Sequence, residues 1–152
     1  MNKKCHSRPD LLTRIGSECL ALHVRKTARI LGKAYDEVLA PCRLKNTQFS
    51  LLVYLKNCGP ETMSEVAEFF LMDRTTLTRN LRPLERRELV SVLAGEDRRQ
   101  RIISITPTGE ALIEKAIPLW QNVQDRLAAS LGEEGATALR AELATLARAA
   151  GS

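Results

Sequence analysis

The sequence predicts a mainly α-helical protein with one small β-hairpin, and three observations support this. Apolar residues recur at helical spacing through most of the 152 residues. The period changes once, where two β-prone stretches, 89–94 and 101–106, flank a short polar segment. Pro41, Gly59 and Gly132 stand between helical stretches, where such residues end helices.

The first half of the chain is predicted to form three helices. Apolar residues at helical spacing run from 10 to 41, which predicts one long first helix that Pro41 ends. A second helix is expected over 47–57. Thr62 begins a third, because a threonine followed three residues later by Glu65 is typical of a capping box.

A fourth helix follows at once, with Asp73 as its N-cap. Leu77, Leu81 and Leu84 lie four and three residues apart, so they share one face, and we expect that face to be buried. Pro83 lies inside this helix. Because proline lacks a backbone N–H, we expect a kink or a tightened turn there.

The second half is predicted to contain the hairpin and two more helices. The segment between the two strands, "GEDRRQ", suits an exposed turn. Thr106 can cap the next helix, with Pro107 at its first position. After Gly132, the residues from 133 to 149 predict a final helix. We expect Trp120 to pack between helices rather than to contact a ligand.

Charge narrows the classes of function. The formal net charge is +5, and most of this excess lies between residues 74 and 101, which hold eight arginines and four acids. The arginines are Arg74, Arg79, Arg82, Arg86, Arg87, Arg98, Arg99 and Arg101. A membrane span and a secretion signal are not evident, so we expect a cytoplasmic protein in which the four cysteines form no disulfide framework.

The order helix, turn, helix, hairpin suits DNA. A short helix can enter the major groove while the hairpin reaches the neighbouring minor groove. Arginine binds guanine or phosphate through two hydrogen bonds, and threonine offers both a hydroxyl and a methyl group. Arg86 and Arg87, near the helix C-terminus, are interpreted as complementing the helix dipole.

The stretches "TMSEVAEFFLMDRTTLTRNLRPLERRELV" and "EDRRQRIISITPTGEALI" resemble the winged helix-turn-helix core of the MarR family of bacterial transcription regulators. The resemblance implies a homodimer that binds a palindromic operator, most often a repressor relieved by a small-molecule effector. Leu71 departs from the pattern, since such turns often carry glycine.

The resemblance also implies an arrangement within the single domain 1–152. The DNA-binding core spans 47–106, and the dimerisation region comprises 10–41 and 107–149. Matched by position, the residues expected to contact DNA are Arg74, Thr75, Thr76, Thr78, Arg79, Arg98, Arg99 and Arg101. Asp97 is placed to orient the arginine at the tip of the wing.

The cysteines offer an alternative, a repressor switched by oxidation. Some MarR-like proteins sense oxidants through a cysteine in the first helix, which makes Cys19 the positional candidate. Cys42 lies beside Arg43 and Lys45, and nearby cations lower the pKa of a thiol. The simpler interpretation of Cys19, a helix residue close to Leu20 and Leu22, is a small buried apolar residue.

Neither a metal site nor a catalytic site is expected. Cys19 and His23 share a helix face, but two ligands are too few, and completing a site would need Cys5 and His6. The remote enzymatic alternative, a Cys19–His23 pair, lacks an orienting acid at a persuasive spacing. We therefore expect no cofactor and no enzymatic activity.

Overall fold

A computed structural model describes residues 11–95, 97 and 100–151. The helices are α1 Leu11–Glu18, α2 Leu20–Leu39, α3 Asn46–Cys58, α4 Met63–Phe69, α5 Arg74–Arg86, α6 Pro107–Leu131 and α7 Glu133–Gly151. The strands are β1 Glu61–Thr62, β2 Val90–Ala94 and β3 Arg101–Ile105. The predicted class, mainly α with a small β-hairpin, is confirmed. Within the described residues, no helix is long and apolar enough to cross a membrane.

The chain divides into two compact units, the first ending at Ala34 and the second beginning at Tyr35. In the first unit, the predicted single helix is wrong at Cys19, where α1 ends and α2 begins. The Ser17 hydroxyl donates to the carbonyl of Thr13 at 3.0 Å, and the His23 ring lies 2.8 Å from the carbonyl of Ser17. Side chains that bond backbone carbonyls can compete with the helical pattern, and both of these bonds lie next to the break.

The predicted end of this helical region near Pro41 is confirmed. Helix α2 stops at Leu39, and the 3₁₀ turn Ala40–Cys42 holds the proline at its second residue. A 3₁₀ turn is a common way for a helix to finish, because its tighter bonds satisfy the last carbonyls.

The second unit holds the apolar core. Its side chains come from the end of α2, from α3, α4, α5 and α6, and from the sheet. The fully buried large ones are Leu39, Leu51, Leu52, Leu55, Val66, Leu77, Leu84, Ile103, Ile113 and Val123. Gly109 lets α6 begin directly against the start of β2. A Cβ atom at this position would lie 2.2 Å from the carbonyl oxygen of Leu89, so no larger residue fits.

The three strands form one antiparallel sheet in the order β1-β3-β2. The predicted hairpin is confirmed, with Val92 opposite Ile103. Sequence reasoning missed β1, whose Glu61 pairs with Ile103 from the other side. Two residues are too few to show an alternating pattern, so β1 follows from the neighbouring strand rather than from its own sequence.

The helix N-termini form as predicted. Thr62 and Glu65 make the reciprocal capping box, and Asp73 and Thr106 cap α5 and α6. Pro83 does not interrupt α5, which runs unbroken from Arg74 to Arg86.

The ends of three helical segments are unusual, because each uses a left-handed residue that is not glycine. Arg43, Leu71 and Glu88 have φ values of 52°, 50° and 55°. At Leu71 the amide of Met72 donates back to the carbonyl of Ala67 at 2.9 Å, a bond that closes helix ends in this way. The turn thus keeps a glycine-type geometry with a leucine, which costs roughly 1–2 kcal/mol.

Candidate nucleic-acid interface

The turn between α4 and α5 sets where the arginine-rich helix begins. The Asp73 carboxylate accepts hydrogen bonds from both the backbone N–H and the hydroxyl of Thr76, each at 2.8 Å. The backbone bond, and then the hydroxyl bond, hold the pKa of Asp73 below its usual range. The first turn of α5 is therefore fixed by a charged cap, and Thr76 presents its methyl group and oxygen lone pairs rather than its hydroxyl proton.

The rotation of α5 about its axis is set by its three leucines. Leu77, Leu81 and Leu84 are 0%, 3% and 0% exposed, as their spacing predicted. Because this face packs into the core, the opposite face must point outward.

The outward face of α5 is lined by arginines. Thr75, Arg79, Arg82 and Arg86 follow one another at steps of four, three and four residues, and together with Thr78 and Pro83 they border an open groove of about 540 Å³. We call this the helix groove. Among the described residues, no acidic side chain forms an ion pair with Arg79, Arg82 or Arg86. The groove therefore presents uncompensated positive charge.

A second depression, the wing cleft, lies between α5 and the hairpin and has a volume of about 240 Å³. It is lined by Met63, Thr78, Leu81, Arg82, Glu85, Val92 and Arg101. Arg82 and Thr78 border both depressions, so the helix groove and the wing cleft form one continuous surface. Of the remaining predicted site residues, Arg74 and Asp97 are exposed and Thr76 is half-buried, while Arg98 and Arg99 lie outside the described residues.

Two anchors that sequence reasoning missed hold α5 in place. Asn80 accepts a hydrogen bond from the Thr47 hydroxyl at 3.2 Å and donates to the carbonyl of Thr76 at 3.2 Å, which ties α5 to the start of α3. Arg87 donates to the carbonyls of Arg43 at 2.6 Å and Cys42 at 3.0 Å. Arg87 thus bonds the 3₁₀ turn after α2 and its C-cap residue, a structural role in addition to the predicted complement to the helix dipole.

The three described cysteines differ in their exposure. Cys42 is 9% exposed within the core, Cys19 is half-buried at the break between α1 and α2, and Cys58 is exposed. Cys5 and His6 lie outside the described residues. In the part of the chain that the structure describes, no three His, Cys, Asp or Glu side chains are arranged to hold a metal ion. Nothing in these surroundings singles out Cys19 or Cys42 as a reactive thiol.

An aromatic cavity of about 390 Å³ lies in the second unit between α3, α6 and the end of α4. Five of the six aromatic residues in the chain line it, namely Phe49, Tyr54, Phe69, Phe70 and Trp120. The rings of Tyr54 and Phe69 are 4.2 Å apart, and those of Phe49 and Trp120 are 6.4 Å apart. Trp120 packs between helices as predicted, but it also forms part of a cavity wall.

The polar groups around this cavity are few. Partial burial, and next the negative charge of Glu61, raise the pKa of Tyr54, so its phenol stays protonated at neutral pH. Glu61 also carries a raised pKa, chiefly because it shares a hydrogen bond with Glu65. The cavity therefore offers mainly apolar ring surface, with the polar groups of Ser50, Tyr54, Asn57 and Cys58 in its wall.

An arginine-lined helix beside a hairpin, held by a capped turn on a preceding helix, is the arrangement through which winged helix-turn-helix proteins contact DNA. The fold and this surface define the chain as a member of that class.

Comparison with known proteins gives the family. The MarR family profile matches residues 44–100. The M. tuberculosis transcriptional regulator MosR, solved in complex with DNA, is 44% identical; the match covers 88% of this chain and 96% of MosR, with a TM-score of 0.80. The repressor CouR bound to a 23-mer DNA duplex is 28% identical over 93% of this chain and 99% of CouR, with a TM-score of 0.81.

A third relative, the HTH-type transcriptional repressor NicR of Pseudomonas putida, is 28% identical over 80% of this chain and 75% of NicR. The chain belongs to the MarR family of DNA-binding transcriptional regulators. The resemblance in the sequence is thereby confirmed.

Proposed function

We propose that this protein is a homodimeric repressor that binds a palindromic operator through α5 and the wing, and that a small molecule releases it from DNA. One observation carries the DNA-binding part of this proposal. Five arginines of α5 and the wing face outward without an ion-pair partner among the described residues, namely Arg74, Arg79, Arg82, Arg86 and Arg101.

The proposed contacts follow from position along α5 and the hairpin. Arg79 lies in the helix groove, where its guanidinium can bond guanine, and Thr75 and Thr78 border the same groove. Arg74 and Thr76 lie in the first turn, where phosphate is favoured by the helix dipole. In the wing we propose Arg98, Arg99 and Arg101 as contacts, with Asp97 orienting the arginine at the tip.

Exposed apolar residues support the homodimer. Helix α7 has no buried residue, yet Leu139 and Leu143 lie one turn apart on it and are 45% and 46% exposed. In the first unit, Ile15 and Ile30 are likewise exposed. Apolar side chains repeated along long helices are typical of surfaces that a second subunit covers. We therefore assign 10–41 and 107–149 to dimerisation and 47–106 to DNA binding.

The aromatic cavity supports a small-molecule effector. Its volume is within the range of ligand sites, and ring surface with a few polar groups suits a flat aromatic compound. A ligand there would contact α3, α4 and α6 together. It would bias the position of α5, which follows α4 after a short turn.

The test of this function uses fluorescence anisotropy with the DNA upstream of the protein's own gene. Wild type should bind this DNA more tightly than a shuffled duplex, and Arg79→Ala should weaken binding while leaving the dimer intact. Arg126→Ala, shown by sedimentation velocity to remain a dimer, is the matched control, because it removes the same charge from an exposed position outside α5 and the wing. Equal losses in both variants would contradict the proposal.

The effector can be tested with the same complex. Trp120 is the sole tryptophan and lines the cavity, so aromatic amines, phenols and acids can be screened by quenching of its fluorescence. A compound that quenches should also release DNA, and Phe69→Leu should weaken both effects together.

A further inference from the structure

We propose that Arg82 and Arg86, in the second half of α5, bind phosphate groups of the DNA backbone, so that the whole length of α5 contacts DNA. This inference rests on the proposed operator binding and deepens it. The contacts expected from the sequence include neither residue, and the position of Arg86 alone suggests no more than a complement to the helix dipole.

The first support is the shape of the surface. The helix groove does not stop at Arg79 but continues past Pro83 to Arg86, at the last residue of the helix. Thr75, Arg79, Arg82 and Arg86 are spaced so that they share the face opposite the buried leucines. If Arg79 contacts DNA, Arg82 and Arg86 therefore face the DNA as well, because they lie on the same face of α5.

The second support is the length of the helix. The 13 residues of α5 span about 20 Å at the usual rise per residue. The major groove is about 12 Å wide. When the first two turns contact bases, the last turn of a helix that crosses the groove lies over the sugar-phosphate backbone. The groups available to it there are phosphate oxygens.

The third support is electrostatic. The C-terminal end of a helix carries a partial negative charge, which repels phosphate. Two arginines on the outward face of the last turns reverse that sign locally. Arg82 also borders the wing cleft opposite Arg101, and Glu85 is the acidic side chain in that cleft. The two guanidinium groups outnumber this carboxylate, so the cleft keeps a net positive charge.

Arg87, in the same turn as Arg86, has a structural role and serves as a comparison. Its guanidinium is occupied by the carbonyls of Cys42 and Arg43. Arg86, its neighbour, is exposed and has no hydrogen-bond or ion-pair partner among the described residues. The two adjacent arginines thus have different roles: Arg87 holds the end of α5 in place, and Arg86 is available to bind an anion.

The test is the salt dependence of operator binding. Each phosphate contact adds about 0.9 to the slope of log affinity against log salt, so Arg86→Ala in both subunits of a dimer should lower the slope by about 1.8. Between about 50 and about 200 mM salt, the affinity of this variant should then fall about 12-fold less than that of wild type. The preference for operator over shuffled DNA should be unchanged, because phosphate contacts carry no sequence information.

Three variants complete the experiment. Arg82→Ala should lower the slope as Arg86→Ala does, Arg86→Lys should restore it because a lysine still pairs with phosphate, and Arg126→Ala should leave it at the wild-type value. Sequence-specific binding by wild type with an unchanged slope in Arg82→Ala and Arg86→Ala would overturn this inference alone. A loss of sequence preference in either variant would overturn it too, since the contact would be to a base. If wild type binds no DNA, the proposed function fails as well.

Discussion

Helices α5 and α7 carry the same leucine pattern and bury it differently. In α5 the leucines are Leu77, Leu81 and Leu84, and in α7 they are Leu139, Leu143 and Leu146, each set spaced by four and three residues. The leucines of α5 are almost completely buried, whereas α7 contains no buried residue. Leucine spacing therefore shows that a face exists but not which surface covers it.

The difference separates a helix that is packed within its own chain from a helix whose apolar face needs a second subunit to cover it. Helix α5 packs on α3 and the sheet within its own unit, so its orientation needs no partner. Helix α7 contacts α6 but leaves Leu139 and Leu143 about half-exposed, and Leu146 is partly buried. We expect the DNA-binding core to be stable by itself and the α7 face to gain its stability from a second subunit.

The largest expected effect comes from truncating a buried leucine of α5. Leu77→Ala removes a fully buried side chain and should lower the free energy of unfolding by about 2–5 kcal/mol, measured by urea denaturation. In the matched variant Leu139→Ala, unfolding of dilute protein should change by less than about 0.5 kcal/mol, since the residue is solvated in a single subunit. Similar losses at both positions would show that α7 is buried within its own chain.

The next effect tests whether the exposed leucines of α7 hold the dimer together. Leu139→Ala combined with Leu143→Ala should raise the dissociation constant of the dimer at least about 100-fold, because each leucine is lost from both subunits. Sedimentation velocity over a dilution series measures this shift. A dimer unaffected by the double change would place the subunit contact on other helices.

A smaller effect concerns the outward face of α5. Arg79→Ala should weaken operator binding by about 1–3 kcal/mol per half-site if each guanidinium bonds a guanine, with no change in the free energy of unfolding. Anisotropy titrations against the operator and against duplexes with single base changes measure the loss. A guanine contact also predicts relaxed preference at one position in each half-site.

The turn before α5 should allow a modest gain in stability. Leu71 is 93% exposed and has a left-handed backbone conformation. Leu71→Gly therefore relieves the backbone strain and removes almost no buried apolar surface. We expect the free energy of unfolding to rise by about 1 kcal/mol, measured by urea denaturation. Leu71→Ala keeps the strain and is the control; an equal gain in that variant would mean that the exposed leucine, not its backbone, was the cost.

The smallest effect is a pH dependence at the start of α5. Hydrogen bonds from Thr76 lower the pKa of Asp73 in the folded protein, so this carboxylate adds stability above its unfolded pKa of about 3.9. That contribution is lost as the pH falls through the folded-state pKa. In Asp73→Asn, the free energy of unfolding measured by urea denaturation should fall less steeply as the pH is lowered through this range. An unchanged slope would show that other carboxylates cause the pH dependence.

Features set by neighbours in sequence could be predicted from the residues alone. The caps at Thr62, Asp73 and Thr106 join groups three residues apart, and the leucine face of α5 follows from its spacing. The arginine-rich face was likewise visible as charge within one stretch.

Features that join distant residues could not be predicted in this way. Arg87 bonds carbonyls more than forty positions away, and Glu61 pairs with Ile103. The aromatic cavity combines rings from α3, α4 and α6, none of which forms a motif by itself. Such contacts depend on how the helices pack, and helical spacing determines only which faces are available for packing.

The Arg87 hydrogen bonds also bear on how the molecule opens. They join the end of α5 to the turn that follows α2, so the carbonyls of Cys42 and Arg43 lose their partner whenever the end of α5 unwinds. Two segments that are far apart in the chain then belong to one cooperative unit. Their backbone amides should exchange with solvent deuterium at a common free energy of opening, although nothing in the order of the helices links them.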